Sequence, residues 1–296
     1  MSISIEPADA TLGAVVTGVR IGALAPDEWR AIEAAFDAYA VLIFPGQHPT
    51  RDEQRAFGLR FGALDALVAA TGTIALSNVL DDGTLMADGH PGKQLLRGNE
   101  GWHTDSSYMP VSAKASMLSA EIVPDAGGET EWADMRAAWD ALEPALRARI
   151  EPLCAHHSIR YSQARAGLSD RAEKGFAYGL DQAEAPLRPL VKTHPATGRR
   201  ALFIGRHAHA IPGLDPHESE KLLDDLLAFA CQPPRVLAHR WAPGDLAVWD
   251  NRCVLHRARP YDARVPRVLH HTRIAGDPAT ESALPAAGGA HERVCP

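Results

Sequence analysis

The stretch Gly101-Trp102-His103-Thr104-Asp105-Ser106 constrains the fold of this chain more than any other. In an extended backbone side chains alternate between faces, so His103 and Asp105 point the same way. Such a pair can chelate a divalent metal but leaves it under-coordinated, and a third ligand has to arrive from elsewhere. The best candidate is His256, far downstream in Trp249-Asp250-Asn251-Arg252-Cys253-Val254-Leu255-His256. A bare His-x-Asp is weak evidence for a metal. If the three residues gather, two imidazoles and one carboxylate occupy one face of an ion and leave the opposite positions open, the ligand set of non-haem Fe(II) sites. A fold that achieves this must lay distant extended segments side by side.

Hydrophobic patterning supplies such segments. Ile3 to Ile5 and Gly13 to Val19 read as short strands around a turn, and Ala40-Val41-Leu42-Ile43-Phe44, closed by Pro45-Gly46, reads as a buried strand. Between them, Pro26-Asp27-Glu28 opens a helix with an acidic first turn and an apolar stripe at Trp29, Ile32, Ala35 and Phe36. Thr50 caps a second helix, with Phe57, Leu59 and Phe61 expected to pack inward. Strands follow at Ile74 to Val79 and Lys114 to Glu121, then an Asp125-Ala126-Gly127-Gly128 turn and a helix from about Asp134 to Arg149. Asp215 opens another helix, reaching Ala230. Leu246 to Trp249 and Arg267 to Ile274 are the last strands, with Pro243-Gly244-Asp245 suited to a type II turn before the first of them. Residues 81–98, polar and Gly-rich without a usable period, are expected to form a mobile loop, and residues 278–296, rich in Ala, Gly and Pro, a disordered tail. The pattern predicts one domain spanning residues 1–296: a mixed, mainly β sandwich or jelly-roll barrel with helices packed on one side.

Composition excludes several partners. With 296 residues, 46% of them hydrophobic, the chain can bury one large core. A net charge of -7 with scattered Lys and Arg argues against nucleic acid. No apolar stretch reaches the length of a membrane span, and the N-terminus lacks the charged and apolar regions of a secretory signal. Cys154, Cys231, Cys253 and Cys295 lie far apart without CxxC spacing, so neither a cysteine zinc site nor a disulfide framework is expected. The expectation is a soluble, cytoplasmic protein.

Arg267, Leu269, His271 and Arg273 fall at alternate positions and share one face of a regular strand. Two inward arginines are costly unless they meet anions. Internal salt bridges are the plainer reading, and a bidentate clamp for a ligand carboxylate the sharper one. Tyr108 either lines an aromatic pocket or packs in the core. His207 and His209 form a His-x-His without an adjacent acidic or cysteine partner, which favours structural or pocket roles over metal. His156, His157 and His239 read as core or surface histidines.

Together, His103-x-Asp105, Gly127-Gly128-Glu129-Thr130, Trp249-Asp250-Asn251, His256 and Arg267 resemble the Fe(II)/2-oxoglutarate-dependent dioxygenases of the taurine and 2,4-dichlorophenoxyacetate group. The likeness covers most of the chain, including Leu12-Gly13-Ala14 and Leu42-Ile43-Phe44-Pro45-Gly46-Gln47. Arg206-His207-Ala208-His209-Ala210-Ile211-Pro212-Gly213 and Asp134-Met135-Arg136-Ala137-Ala138 look like its aryloxyalkanoate branch, the (S)-phenoxypropionate type. The resemblance implies a double-stranded β-helix (jelly-roll) core with flanking helices, and a site using Fe(II), 2-oxoglutarate as cosubstrate and O2. It implies that His103, Asp105 and His256 hold the iron. Thr130 and Arg267 would bind the distal carboxylate of 2-oxoglutarate, and Trp249 would pack beside the metal. Asn99 matches a substrate-contacting position, with Tyr108 and His207 further candidates. One departure stands out. Where many members carry a second Arg after the distal His, this chain has His271, with Arg273 two residues on, so the anchor for a substrate carboxylate is open between them. The implied reaction is hydroxylation of an aryloxyalkanoate with ether cleavage to a phenol and a 2-oxo acid, alongside succinate and CO2. Taurine or another small sulfonate or organic acid is the alternative within the same chemistry. A zinc hydrolase, or a non-catalytic metal-binding β-sandwich, is the alternative from another class. The expected partner is a small organic acid, with no nucleic acid and no membrane, and homo-oligomerisation left open.

Overall fold

A computed structural model of the chain describes residues 2–66, 68–167 and 184–285. Its largest sheet has seven strands in the order Ser4–Pro7, Ala14–Thr17, Val41–Phe44, Leu246–Asp250, Ala115–Ile122, Val268–Ile274, Ile74–Ser77. Neighbours in space are far apart in sequence: Leu246–Asp250 from the C-terminal part fits between Val41–Phe44 and Ala115–Ile122, antiparallel to both. A three-stranded sheet, Val236–His239, Thr130–Asp134 and Val254–Ala258, packs against the large one. Trp132 and Trp249 meet across that interface with ring centroids 5.8 Å apart. This is a jelly-roll core with flanking helices.

Val41–Phe44 is apolar throughout because both of its faces are buried. Val41, Ile43, Leu118, Ala120, Ala247 and Trp249 point into the space between the sheets. Their neighbours Leu42, Phe44, Met117, Leu246 and Val248 point the other way, onto helices Pro26–Tyr39 and Arg51–Phe61. There Trp29, Phe36, Phe44, Phe57 and Phe61 pack edge to face, with Phe57 and Phe61 centroids 5.3 Å apart. Thr50 starts the second helix with a reciprocal cap: Glu53 N donates to Thr50 Oγ1 at 3.1 Å, and Thr50 N to Glu53 Oε2 at 2.8 Å. Asp215 caps Pro216–Ala230 in the expected place.

Several local expectations are corrected. Leu59 is 44% exposed, since a residue two places from Phe57 lies across the helix from it. The helix expected from Asp134 to Arg149 is two, Met135–Ala141 and Pro144–Ile150, because Pro144 cannot continue the first and starts the second. Within the stretch read as loop, Pro91–Gly98 is helical, with Gly92 N donating to His90 Nδ1 at 3.0 Å. The tail is not wholly without structure. Asp277 caps a short helix, Pro278–Glu281, and the buried Glu281 accepts from Ser112 Oγ at 3.0 Å and pairs with Lys192. Its remainder, 286–296, lies outside the described residues. Cys231 and Cys253 are free thiols, whereas Cys154 is disulfide-bonded, which the spacing did not suggest. Among the described residues no helix is long and apolar enough to cross a membrane.

Candidate active site

His103 and His256 are joined through their backbones before their side chains meet anything. His103 N donates to His256 O at 3.0 Å and His256 N to His103 O at 2.7 Å, a two-bond antiparallel bridge. His256 sits on the strand Val254–Ala258, so this bridge fastens the 101–106 segment to the edge of the smaller sheet. The two rings lie 4.2 Å apart, centroid to centroid. His103 Nδ1 donates to Gly101 O at 2.7 Å, which leaves Nε2 with its lone pair exposed to the cavity. The backbone is extended through Thr104 and turns at Asp105, with Ser106 in the left-handed region at φ 58°. The turn keeps the carboxylate on the imidazole side: one ligand atom from each of His103, Asp105 and His256 falls within 4.8 Å of the others.

The protonation states suit a metal. Burial is the first cause lowering the His103 and His256 pKa values, His103 well below its ordinary range and His256 to about 4, so both rings are neutral near pH 7. Burial alone would raise the Asp105 carboxyl, but Arg273, His256 and His271 around it hold it well below the usual range. Arg273 lies 3.5 Å from Asp105 Oδ1, while Ser116 Oγ donates to Asp105 Oδ2 at 2.6 Å. Two neutral imidazoles and a carboxylate are the donor set that the open face of a non-haem iron site requires. A second buried group, His194, Asp250 and Cys253, has similarly close ligand atoms. Its carboxylate is already saturated, by Arg252 Nε at 2.8 Å and Arg252 and His194 nitrogens at 2.5 and 2.9 Å, so it is an internal ion network.

One cavity of about 660 Å³ surrounds the His-Asp-His cluster, and every residue singled out from the sequence for metal, cosubstrate or substrate lines it. Trp249 flanks His256 at 4.7 Å and lies parallel to His271 at 6.2 Å. Thr130 Oγ1 accepts from Trp241 Nε1 at 2.9 Å, which frees its own hydrogen for another acceptor. Arg267 is 5% exposed, donates to Gly128 O at 3.0 Å, and has no ion pair among the described residues. Its Nε finds no hydrogen-bond partner among them either. The internal salt bridge offered as the plainer reading is therefore not made by Arg267. Arg273 makes one, to Asp105, and also donates to Ser106 Oγ at 3.1 Å. The two share a cavity although the strand has an irregularity between Val268 and Leu269. Asn99 ends the helix Pro91–Gly98, and its carbonyl accepts from Ala258 N at 2.8 Å. His207 stands between His103 and Tyr108, at 6.0 and 4.9 Å, with Nδ1 against Ser162 Oγ at 2.8 Å. His209 faces His156 and Tyr161 instead, away from the cavity lining.

Sequence reasoning missed Arg206, which lines the cavity beside His207 and depresses the His103 pKa. It also missed Ser116 and Asn251, which bind around Asp105, and the apolar wall of Ile74, Leu76, Leu118 and Ile159. Arg206 opened a quoted motif and was within reach. Ser116 offered no signal beyond sharing a strand face with Leu118.

A jelly roll that gathers two imidazoles and a carboxylate in one cavity with a buried guanidinium points to the non-haem iron, 2-oxoglutarate-dependent dioxygenases as its class. The sequence matches the taurine catabolism dioxygenase TauD, TfdA family over residues 4–274, and the chain belongs to that family. It is 54% identical over 287 residues to the (S)-phenoxypropionate/alpha-ketoglutarate-dioxygenase of Sphingobium herbicidovorans, covering 96% of this chain and 98% of that one. To the alpha-ketoglutarate-dependent 2,4-dichlorophenoxyacetate dioxygenase of Cupriavidus pinatubonensis it is 38% identical over 289 residues, or 94% and 99% of the two chains. Among solved structures, AAD-2 in complex with Mn(II) and N-oxalylglycine matches with a TM-score of 0.87 at 37% identity, over 96% of this chain and 100% of that one. The chain is an enzyme, an Fe(II)- and 2-oxoglutarate-dependent dioxygenase that uses O2.

Proposed function

We propose that this enzyme hydroxylates an aryloxyalkanoate of the (S)-phenoxypropionate or phenoxyacetate type at the carbon bearing the ether oxygen. The resulting hemiacetal or hemiketal collapses to a phenol and a 2-oxo acid. The observation that carries this reading is the near full-length identity of 54% to an (S)-phenoxypropionate dioxygenase. The cavity supports it by pairing cations with an apolar wall of Ile74, Leu76, Leu118 and Ile159 suited to an aryl ring.

In this reading His103, Asp105 and His256 hold Fe(II), which when bound couples oxidative decarboxylation of 2-oxoglutarate to activation of O2. Arg267 and Thr130 take the distal carboxylate of 2-oxoglutarate. The donor set supports this, since among the described residues Arg267 has no partner for Nε and no counter-ion, and Thr130 Oγ1 accepts from Trp241 Nε1, which leaves its own hydrogen to donate. Trp249 walls the His256 side. Of the two anchors left open for the substrate carboxylate, Arg273 is preferred to His271, because a guanidinium is charged at every working pH. Asn99, Tyr108 and His207 line the substrate's side of the cavity. The enzyme works as a single domain in the cytoplasm, on a small organic acid rather than on nucleic acid or a membrane.

A panel of phenoxy acids with Fe(II), 2-oxoglutarate and O2 tests the substrate class. Phenol release matched mole for mole by succinate is expected. No turnover across the panel, with turnover of taurine or another sulfonate, replaces the substrate assignment by its alternative. Anaerobic addition of Fe(II) and 2-oxoglutarate separates the remaining rival: a weak visible charge-transfer band is expected, and its absence with tight zinc retention points to a zinc hydrolase.

A further inference from the structure

We infer that Asn251 and Ser116 act as a one-way hydrogen-bond relay that orients the Asp105 carboxylate, making both of them positioning residues for the metal site. The inference rests on Asp105 being a metal ligand. Its logic is one of donors and acceptors. The Trp249 indole N–H can only donate, and it lies 3.1 Å from Asn251 Oδ1. The Asn251 carboxamide therefore cannot flip, because a flip would set two donors face to face. With Oδ1 so fixed, the Asn251 NH2 group points at Ser116 Oγ, 2.9 Å away, and donates to it. A hydroxyl that accepts from a donor-only group turns its single hydrogen elsewhere, and the partner in reach is Asp105 Oδ2 at 2.6 Å.

Every link is out of water: Trp249, Asn251 and Ser116 are 1%, 2% and 0% exposed. No solvent molecule substitutes for a lost link without a cavity to enter. The same carboxamide oxygen also faces the 102–105 segment, at 3.4 Å from both Asp105 N and Thr104 Oγ1, while Thr104 Oγ1 donates to Asn251 O at 2.8 Å. Asp105 Oδ2 is the oxygen nearer the imidazoles, 3.7 Å from His256 Nε2 and 3.4 Å from His271 Nε2. The relay thus fixes rotation of the carboxylate about its last bond by delivering a hydrogen to Oδ2. Asp105 lies just past the end of the extended segment, at a turn, where the backbone alone does not hold it. The tryptophan at the head of the relay also packs on His256, so the relay ties two of the three ligands to one indole.

The test is Mn(II) titration of metal-free protein, with free ion counted by its EPR signal and thermal unfolding run alongside. Ser116→Ala is expected to weaken Mn(II) binding by about ten- to a hundred-fold, the range for groups that hold a metal ligand in place. Ser116→Thr, which keeps the hydroxyl, is expected to restore most of it. Asn251→Ala is expected to weaken binding in the wild-type background and to add little in Ser116→Ala. A merely structural role would lower the unfolding temperature without moving the affinity. Unchanged Mn(II) affinity in Ser116→Ala overturns the relay, as do strictly additive effects of the two changes. Mn(II) binding that survives Asp105→Ala at full strength fails the ligand assignment itself, and the relay with it.

Discussion

Arg267→Met separates a ligand clamp from a structural ion pair. In the protein the guanidinium is buried, donates one hydrogen bond to Gly128 O at 3.0 Å, leaves Nε without a partner, and meets no carboxylate among the described residues. Burial is the first cause pulling its pKa below the usual arginine range, and Tyr261 and Glu129 only partly oppose it. Methionine keeps much of the length and apolar volume without the charge. The ligand-free protein then loses one charge-assisted bond, about 1.5–3 kcal/mol, and is relieved of a desolvation cost of several kcal/mol. The stability of ligand-free protein should therefore change by no more than about 1 kcal/mol, and in either direction. Binding responds quite differently. A carboxylate arriving at this position loses its counter-charge and remains buried, at a cost of about 3–5 kcal/mol. That is about two to three and a half orders of magnitude in the dissociation constant of 2-oxoglutarate. The assay is 2-oxoglutarate titration of Mn(II)-loaded protein without O2, beside urea unfolding of the ligand-free form. If Arg267→Met instead destabilises ligand-free protein by about 3 kcal/mol or more and leaves the dissociation constant within about ten-fold, the guanidinium is structural and the reasoning fails.

His103→Ala should abolish Mn(II) binding while the unfolding temperature of metal-free protein stays within about 4 °C of wild type, because the bridge to His256 runs through backbone atoms; unfolding of the variant would contradict this. Gly128→Ala should weaken 2-oxoglutarate binding without touching the ligand: Gly128 has φ +73°, and an added Cβ would sit 2.9 Å from Arg267 Nε. An unchanged dissociation constant there means that Arg267 does not work from this position. His157 is buried, with neither ring nitrogen hydrogen-bonded among the described residues, and burial first, then Arg188 and His209, depress its pKa well below 6.5. A depressed folded-state pKa gives stability that is present above the unfolded value and lost as pH falls towards the folded one. His157→Phe should accordingly flatten the loss of stability below about pH 6.5, by about 1.4 kcal/mol for each unit of depression; a slope equal to wild type in urea unfolding refutes it.

What could be read from the sequence was local or strictly periodic. The run Val41 to Phe44 announces a strand because all four side chains are buried, two on each face. Thr50 and Asp215 announce helix starts because their side chains accept from the amides of the first turn, and Pro26 because it has no amide hydrogen to leave unsatisfied there, all of which depends only on neighbours. Pro91–Gly98 escaped because its cap is a histidine, outside the usual capping residues, and its glycines argue for loop. The turn Pro278–Glu281 escaped for another reason: its security comes from Lys192 and Ser112, remote in sequence and invisible to composition.

The alternation of Arg267, Leu269, His271 and Arg273 shows most clearly where periodicity stops. It puts both arginines towards one cavity, and they are there, but it treats them as equivalent. They are not. Arg273 has its counter-charge inside the protein, in Asp105 at 3.5 Å, so an incoming carboxylate must share it with that aspartate. Arg267 has none among the described residues, so a carboxylate that reaches it gains a full charge-assisted contact and offsets the cost of burying the cation. The difference arises because Asp105 belongs to a segment bridged to a strand far along the chain. No spacing rule within the strand contains that fact. It also gives the two positions different consequences: charge removed at Arg267 falls on ligand affinity, while charge removed at Arg273 falls first on the aspartate that faces the metal site.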